Sequence, residues 1–117
     1  MSQDLRQSLA AALRPAMRAR DSTAVAALRS ALAAVANAEA LPVPDAPAAG
    51  AIEQARVGVG AADAPRLELG EDDVRRIVRA EVTERESAAE VMAGHGRHDD
   101  VQRLRAEAAV LREHLGD

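Results

Sequence analysis

Between Leu69 and Leu115 the apolar residues recur with the period of an α-helix, and this stretch limits what the rest of the chain can become. Val74, Ile77, Val78, Val82, Ala89 and Met92 fall at helical spacings and form one stripe. Gly70 is the expected N-cap, with Leu69 and Val74 at the N′ and N4 positions of a hydrophobic staple. Glu71, Asp72 and Asp73 place negative charge where the helix dipole favours it. Gly94 is read as the C′ residue that ends this helix. Asp99 then caps a second helix, with Gln102 at N3 in a capping-box variant. Val101, Leu104, Ala108, Leu111 and Leu115 make its stripe, closed by Gly116. The stretch predicts a long amphipathic helix, a Gly-His-Gly turn and a second helix folded back on the first.

The preceding residues repeat the theme. Ser2 is read as the N-cap of a helix running to about Arg20, with Leu5, Leu9, Leu13 and Met17 four residues apart and Ala12 and Ala16 widening the stripe. Pro15 removes the bond to the Ala11 carbonyl, so a kink is expected there, with a break as the alternative. Asp21 or Ser22 caps a second helix to about Ala40, its apolar line being Val25, Leu28, Leu32 and Val35, padded by Ala24, Ala31 and Ala36. Residues 41–68 differ: Pro42, Pro44, Pro47 and Pro65 sit among Gly50, Gly58 and Gly60 with little periodicity, which predicts a long linker with at most a helical turn over Ala51–Val57. The expected fold class is therefore all-α: one domain over 1–117, a first helical hairpin at 1–40, a flexible Pro/Ala/Gly-rich linker at 41–68, and a second helical hairpin at 69–115.

The composition decides what such a core can contain. With no Phe, Tyr or Trp, the 48% hydrophobic content is almost entirely Ala, Leu and Val. Each buried Leu or Val contributes about 1.5–3 kcal/mol and Ala far less, so the core is thin and the helices must approach closely over alanine. Marginal stability, or a partner that completes the core, is expected. A net charge of −4 opposes general attraction to nucleic acid or anionic membrane. It is unevenly spread: residues 1–40 hold five arginines against Asp4, Asp21 and Glu39, a local +2, whereas residues 71–117 hold eight against twelve acids, a local −4. Without cysteine there is no disulfide or thiolate chemistry. No apolar run reaches the roughly 18 residues of a membrane span, and the N-terminal stretch lacks an apolar signal segment, so a cytoplasmic protein is expected.

Little in the chain points to catalysis. His95 and His98 beside Asp99 and Asp100 resemble a metal site only superficially, because no further His or Cys shares a ligand spacing and His114 lies roughly 24 Å along a straight helix from His98. Gly58-Val59-Gly60 lacks the strand-to-helix context of a phosphate loop. Ser8, Ser30 and Ser87 have no base at fixed spacing. Arg75, Arg76 and Arg79 are expected to pair with acids one turn earlier, Glu71 with Arg75 and Asp72 with Arg76, as a solvated face. Arg85 and Glu107 sit at the edges of their stripes, and a bridge between them would cross from the third helix to the fourth. No cofactor and no metal are expected.

Two segments, MRARDSTAVAALRSALAAVANAE and DVRRIVRAEVTERESAAEVMAGHGRHDDVQRLRAEAAVLREHL, resemble the N-terminal part of the GatB/YqeY family. The landmarks that match are Asp21 at the hinge, Arg29 and Glu39 on the second helix, Arg85 on the third, Arg97 in the Gly-Arg turn and Glu107 on the fourth. That family is similar to the tail region of the GatB subunit of glutamine-dependent tRNA amidotransferases. The resemblance implies a four-helix unit, a smaller three-helix unit after it that is absent from this chain, and a tRNA-linked role. By family association alone it also carries carbon–nitrogen ligase activity with glutamine as amide donor, or an accessory place beside such an enzyme. The expected function is a non-catalytic helical module binding tRNA or a translation-linked protein through helix one and the Gly94–Arg97 turn. The alternative is a protein-interaction or self-associating module, and a homo-oligomer is compatible with either.

Overall fold

The computed structural model describes residues 4–40 and 69–117. The stretch from 41 to 68, including the turn expected over Ala51–Val57 and the Gly58-Val59-Gly60 run, lies outside the described residues, as does Ser2. The described chain is all-α and forms four helices: α1 (Leu5–Arg18), α2 (Ser22–Ala40), α3 (Glu71–Gly94) and α4 (His98–Leu115). No strand occurs among the described residues.

The N-cap of helix α1 is Asp4. The Asp4 carboxylate accepts the Gln7 N–H at 2.8 Å, the N-cap to N3 bond that stops fraying of the first turn. The helix is continuous through Pro15, so the break does not occur; Pro15 and Ala11 are both exposed. Asp21 caps α2 by accepting the Ala24 N–H at 3.1 Å, as its side chain and position predict.

The turn between α1 and α2 has a cost. Arg20 adopts φ +57°, and the Asp21 and Arg20 amides bond back to the Ala16 and Met17 carbonyls at 3.0 and 3.1 Å. This is the double-bonded helix ending usually given to glycine. A side chain there costs about 1–2 kcal/mol in backbone strain, offset in part because glycine is freer when unfolded. Arg20→Gly is therefore expected to raise stability by about 1 kcal/mol, seen as a melting temperature about 4 °C higher by circular dichroism. An unchanged or lower melting temperature would contradict the strain.

The third helix ends two residues later than Gly94 suggested. Gly94 is its last helical residue, and the left-handed position belongs to Gly96 at φ +73°. The Arg97 and Gly96 amides bond to the Met92 and Ala93 carbonyls at 2.9 and 3.0 Å. With this tighter turn α4 starts at His98, its N-cap is Arg97, and Asp99 falls inside the first turn instead of capping it. Asp99 and Asp100 then serve the helix dipole.

All four helices share one core. Leu5 and Leu9 come from α1; Ala24, Ala27, Leu28, Ala31 and Val35 from α2; Val74, Val78 and Val82 from α3; Ala108, Leu111 and Leu115 from α4. Leu69 packs against it, in keeping with the staple. The buried line of α2 is turned by about one residue from the expected one: Ala27 and Ala31 are fully buried, Val25 and Leu32 half-buried and Ala36 exposed. On α1 the stripe turns out of the core toward its C-terminal end. Four-residue steps overshoot the helical turn by about 40° each, so three of them rotate the line by about 120°. Leu5 and Leu9 are buried, Leu13 is half-buried, and Met17 is 46% exposed.

Candidate functional site

Side chains from three helices meet in one buried polar network. Arg85 of α3 donates from Nε to Glu107 of α4 at 2.9 Å, and from Nη1 to the Glu81 carboxylate and carbonyl at 3.0 and 3.2 Å. Ser30 of α2 donates its hydroxyl to the same Glu81 oxygen at 2.6 Å. Arg103 approaches the other Glu107 oxygen at 3.6 Å. The side chains of Arg85, Glu81 and Glu107 are only 12%, 14% and 8% exposed, so these pairs are poorly screened by water.

The position follows from the helical repeat. Val74, Val78, Val82 and Ala89 are the buried line of α3, and Arg85 occupies the turn between Val82 and Ala89. Glu107 lies beside Ala108 on the buried side of α4. Beyond this pair, Ala89 and Val101 are buried outside the common core. Arg85 and Glu107 thus lie between the four-helix core and the outer ends of α3 and α4. The Arg85–Glu107 bridge expected across the two helices is present. Glu81, four residues before Arg85, pairs with it along the helix itself, whereas Ser30 is not legible in the sequence, since only the packing of α2 brings it within reach.

The other candidates lie apart from this network. Asp21 is the exposed cap of α2. Glu39 pairs with Arg6 across α1 and α2. Arg97 is 64% exposed and pairs with Asp100 at 2.8 Å. Arg29 is exposed, with Nη2 at 3.8 Å from the sulfur of Met17. Arg29, Arg14, Arg18 and Arg20 are all exposed and pair with no carboxylate among the described residues.

A second junction joins the start of α1 to α3 and α4. The Glu71 carboxylate accepts the Leu5 N–H at 3.1 and 3.3 Å, so it caps a helix other than its own. Ser8 of α1 and Nδ1 of His114 on α4 are 2.8 Å apart. The sequence offered Ser8 no base at fixed spacing, but folding brings one from 106 residues away. The arginine cluster of α3 is also redirected. Arg75 still reaches Glu71 at 3.5 Å, but it also donates to the Leu115 carbonyl, and Arg79 holds Asp117 at 2.7 Å. Both therefore sit at the C-terminal end of α4, where cations are favoured. Arg76 pairs with Asp73, not with Asp72.

Among the described residues, no group of three or more His, Cys, Asp or Glu is placed to hold a metal ion. No described helix is long and apolar enough to cross a membrane. No family model, curated protein or solved structure matches this chain.

Proposed function

We propose that the protein is a non-catalytic helical module of GatB/YqeY type: two antiparallel hairpins joined by the Pro/Ala/Gly-rich stretch, acting in the cytoplasm on tRNA or a translation-linked protein. One observation carries this reading. The polar groups that converge in the interior are engaged with one another, whereas Arg14, Arg18, Arg20 and Arg29 stand exposed at one corner without carboxylate partners among the described residues. Interior polarity serves packing, and the uncommitted charge lies outside. Family association with glutamine-dependent carbon–nitrogen ligases would then be that of an accessory, with no reacting group supplied by these helices. Exposed Met17 and Val91, at 46% and 55%, favour protein contact or self-association as the alternative.

The test is a titration of end-labelled tRNA with the full chain across salt concentrations. Engagement of four arginines predicts a fall of log K against log salt with a slope of about −3. No association at low salt removes the RNA version and leaves the protein one. Affinity purification from the native cell that recovers neither RNA nor a protein removes both, and light scattering of the pure chain decides self-association.

A further inference from the structure

We infer that the outer face of α1 is a docking groove for an acidic amphipathic helix of a partner protein. The inference rests on the binding-module reading and chooses its protein version. Ala10, Leu13, Arg14, Met17 and Arg18 line an open groove of about 470 Å³. Their spacing of three and four residues makes a strip about two turns long, the length over which a bound helix sets its i, i+3, i+4 and i+7 anchors. The floor is apolar and adaptable: Leu13 is half-buried, Met17 is 46% exposed, and an unbranched thioether adjusts to different side chains.

Charge selects the occupant. Arg14 and Arg18 line the strip, Arg29 reaches Met17 from α2, and Arg20 follows in the adjoining turn. Asp21, the carboxylate of that turn, is held at the Ala24 amide. A second copy docked through the same face would set these arginines against their own images, which like charges oppose. RNA would find phosphate partners here but no aromatic ring on which to stack a base, since the chain has none, and it would meet a net −4 overall. A helix with leucine on one face and carboxylates along its borders satisfies both parts of the surface. Its apolar face covers Leu13 and Met17, and its carboxylates take the guanidiniums as bidentate partners.

The experiment uses the full chain, followed by backbone amide NMR. It is titrated with a synthetic amphipathic helix of about five turns carrying Leu on one face and Glu on the other. The same helix with Lys in place of Glu, and a single-stranded RNA oligonucleotide, are run in parallel. The acidic helix should shift the amides of residues 10–14 and 16–18 and leave those of α3 unmoved. The double variant Arg14→Glu/Arg18→Glu should weaken that binding by about tenfold or more. Met17→Glu should weaken it similarly, and because all three positions are exposed, helical content should stay that of the parent. The inference is overturned if the acidic helix moves none of these amides, if the Lys helix binds equally well, or if only RNA moves them. Undiminished tRNA or partner binding by the double variant would place the binding surface elsewhere, leaving the module reading intact while this groove falls.

Discussion

Replacing Arg85 by alanine is expected to destabilise the protein by about 3–5 kcal/mol, the loss typical of breaking one side of a buried ion pair. The substitution leaves two carboxylates, Glu81 and Glu107, at 14% and 8% side-chain exposure without the cation that lies between them. Arg103, at 3.6 Å and half-exposed, is placed to answer only one of them. Against a total stability of about 5–15 kcal/mol, this is a large fraction. Urea unfolding followed by far-ultraviolet circular dichroism measures it, because a chain with no Trp or Tyr has no useful intrinsic fluorescence. The triple variant Arg85→Met/Glu81→Gln/Glu107→Leu separates two explanations, since Glu81 would otherwise keep its charge without a cation. If the cost comes from stranded charge, the triple variant should recover most of the stability. It should also relax the fixed pairing of α3 with α4, because an apolar seam no longer specifies which turn faces which. A loss below about 1 kcal/mol for Arg85→Ala would show that the pair behaves as an exposed bridge.

Leu111→Ala should cost about 3–4 kcal/mol by the same measurement. Leu111 is fully buried and shares the core with Leu9, Leu28 and Val78, which are likewise fully buried or nearly so. The cavity it leaves has no aromatic neighbour to swing into it, so little relaxation is available. Met17→Ala is the control: Met17 continues the α1 repeat of Leu5 and Leu9, yet it is 46% exposed, so its removal should cost well under about 1 kcal/mol. Equal losses at the two positions would mean that the α1 stripe packs along its whole length.

Much of the local structure was legible because local chemistry determines it. The Asp21 cap, the Gly70 start of α3 and the buried line through Val74, Val78 and Val82 each follow from a few neighbouring residues. The errors were also local in kind. Asp4-x-x-Gln7 competes with Ser2 for the cap of α1, and Gly96 competes with Gly94 for the left-handed position two residues away. Nothing in the local spacing decides between such neighbours, because either satisfies the same backbone groups. Of the six candidate residues, the pairing of Arg85 with Glu107 could be anticipated, since both lie at stripe edges on helices joined by a short turn. Glu39 with Arg6, Arg29 against Met17 and Ser30 on Glu81 could not, since they depend on how α2 lies against its neighbours.

The sequence by itself determined the four helices of the described residues, their approximate ends, an alanine-rich core without aromatic filling, and the unequal charge of its two parts. Tertiary structure alone decided that Ser30 meets Glu81, that Glu71 caps α1 from α3, that His114 reaches Ser8, and that Met17 turns away from the core. The division has a physical cause. Hydrogen bonds and caps within a helix act over about four residues and leave a mark at that spacing. Contacts between helices depend on axial rotation and crossing geometry. There a shift of one residue, or a stripe that overshoots each turn by about 40°, moves a side chain from the core to the surface.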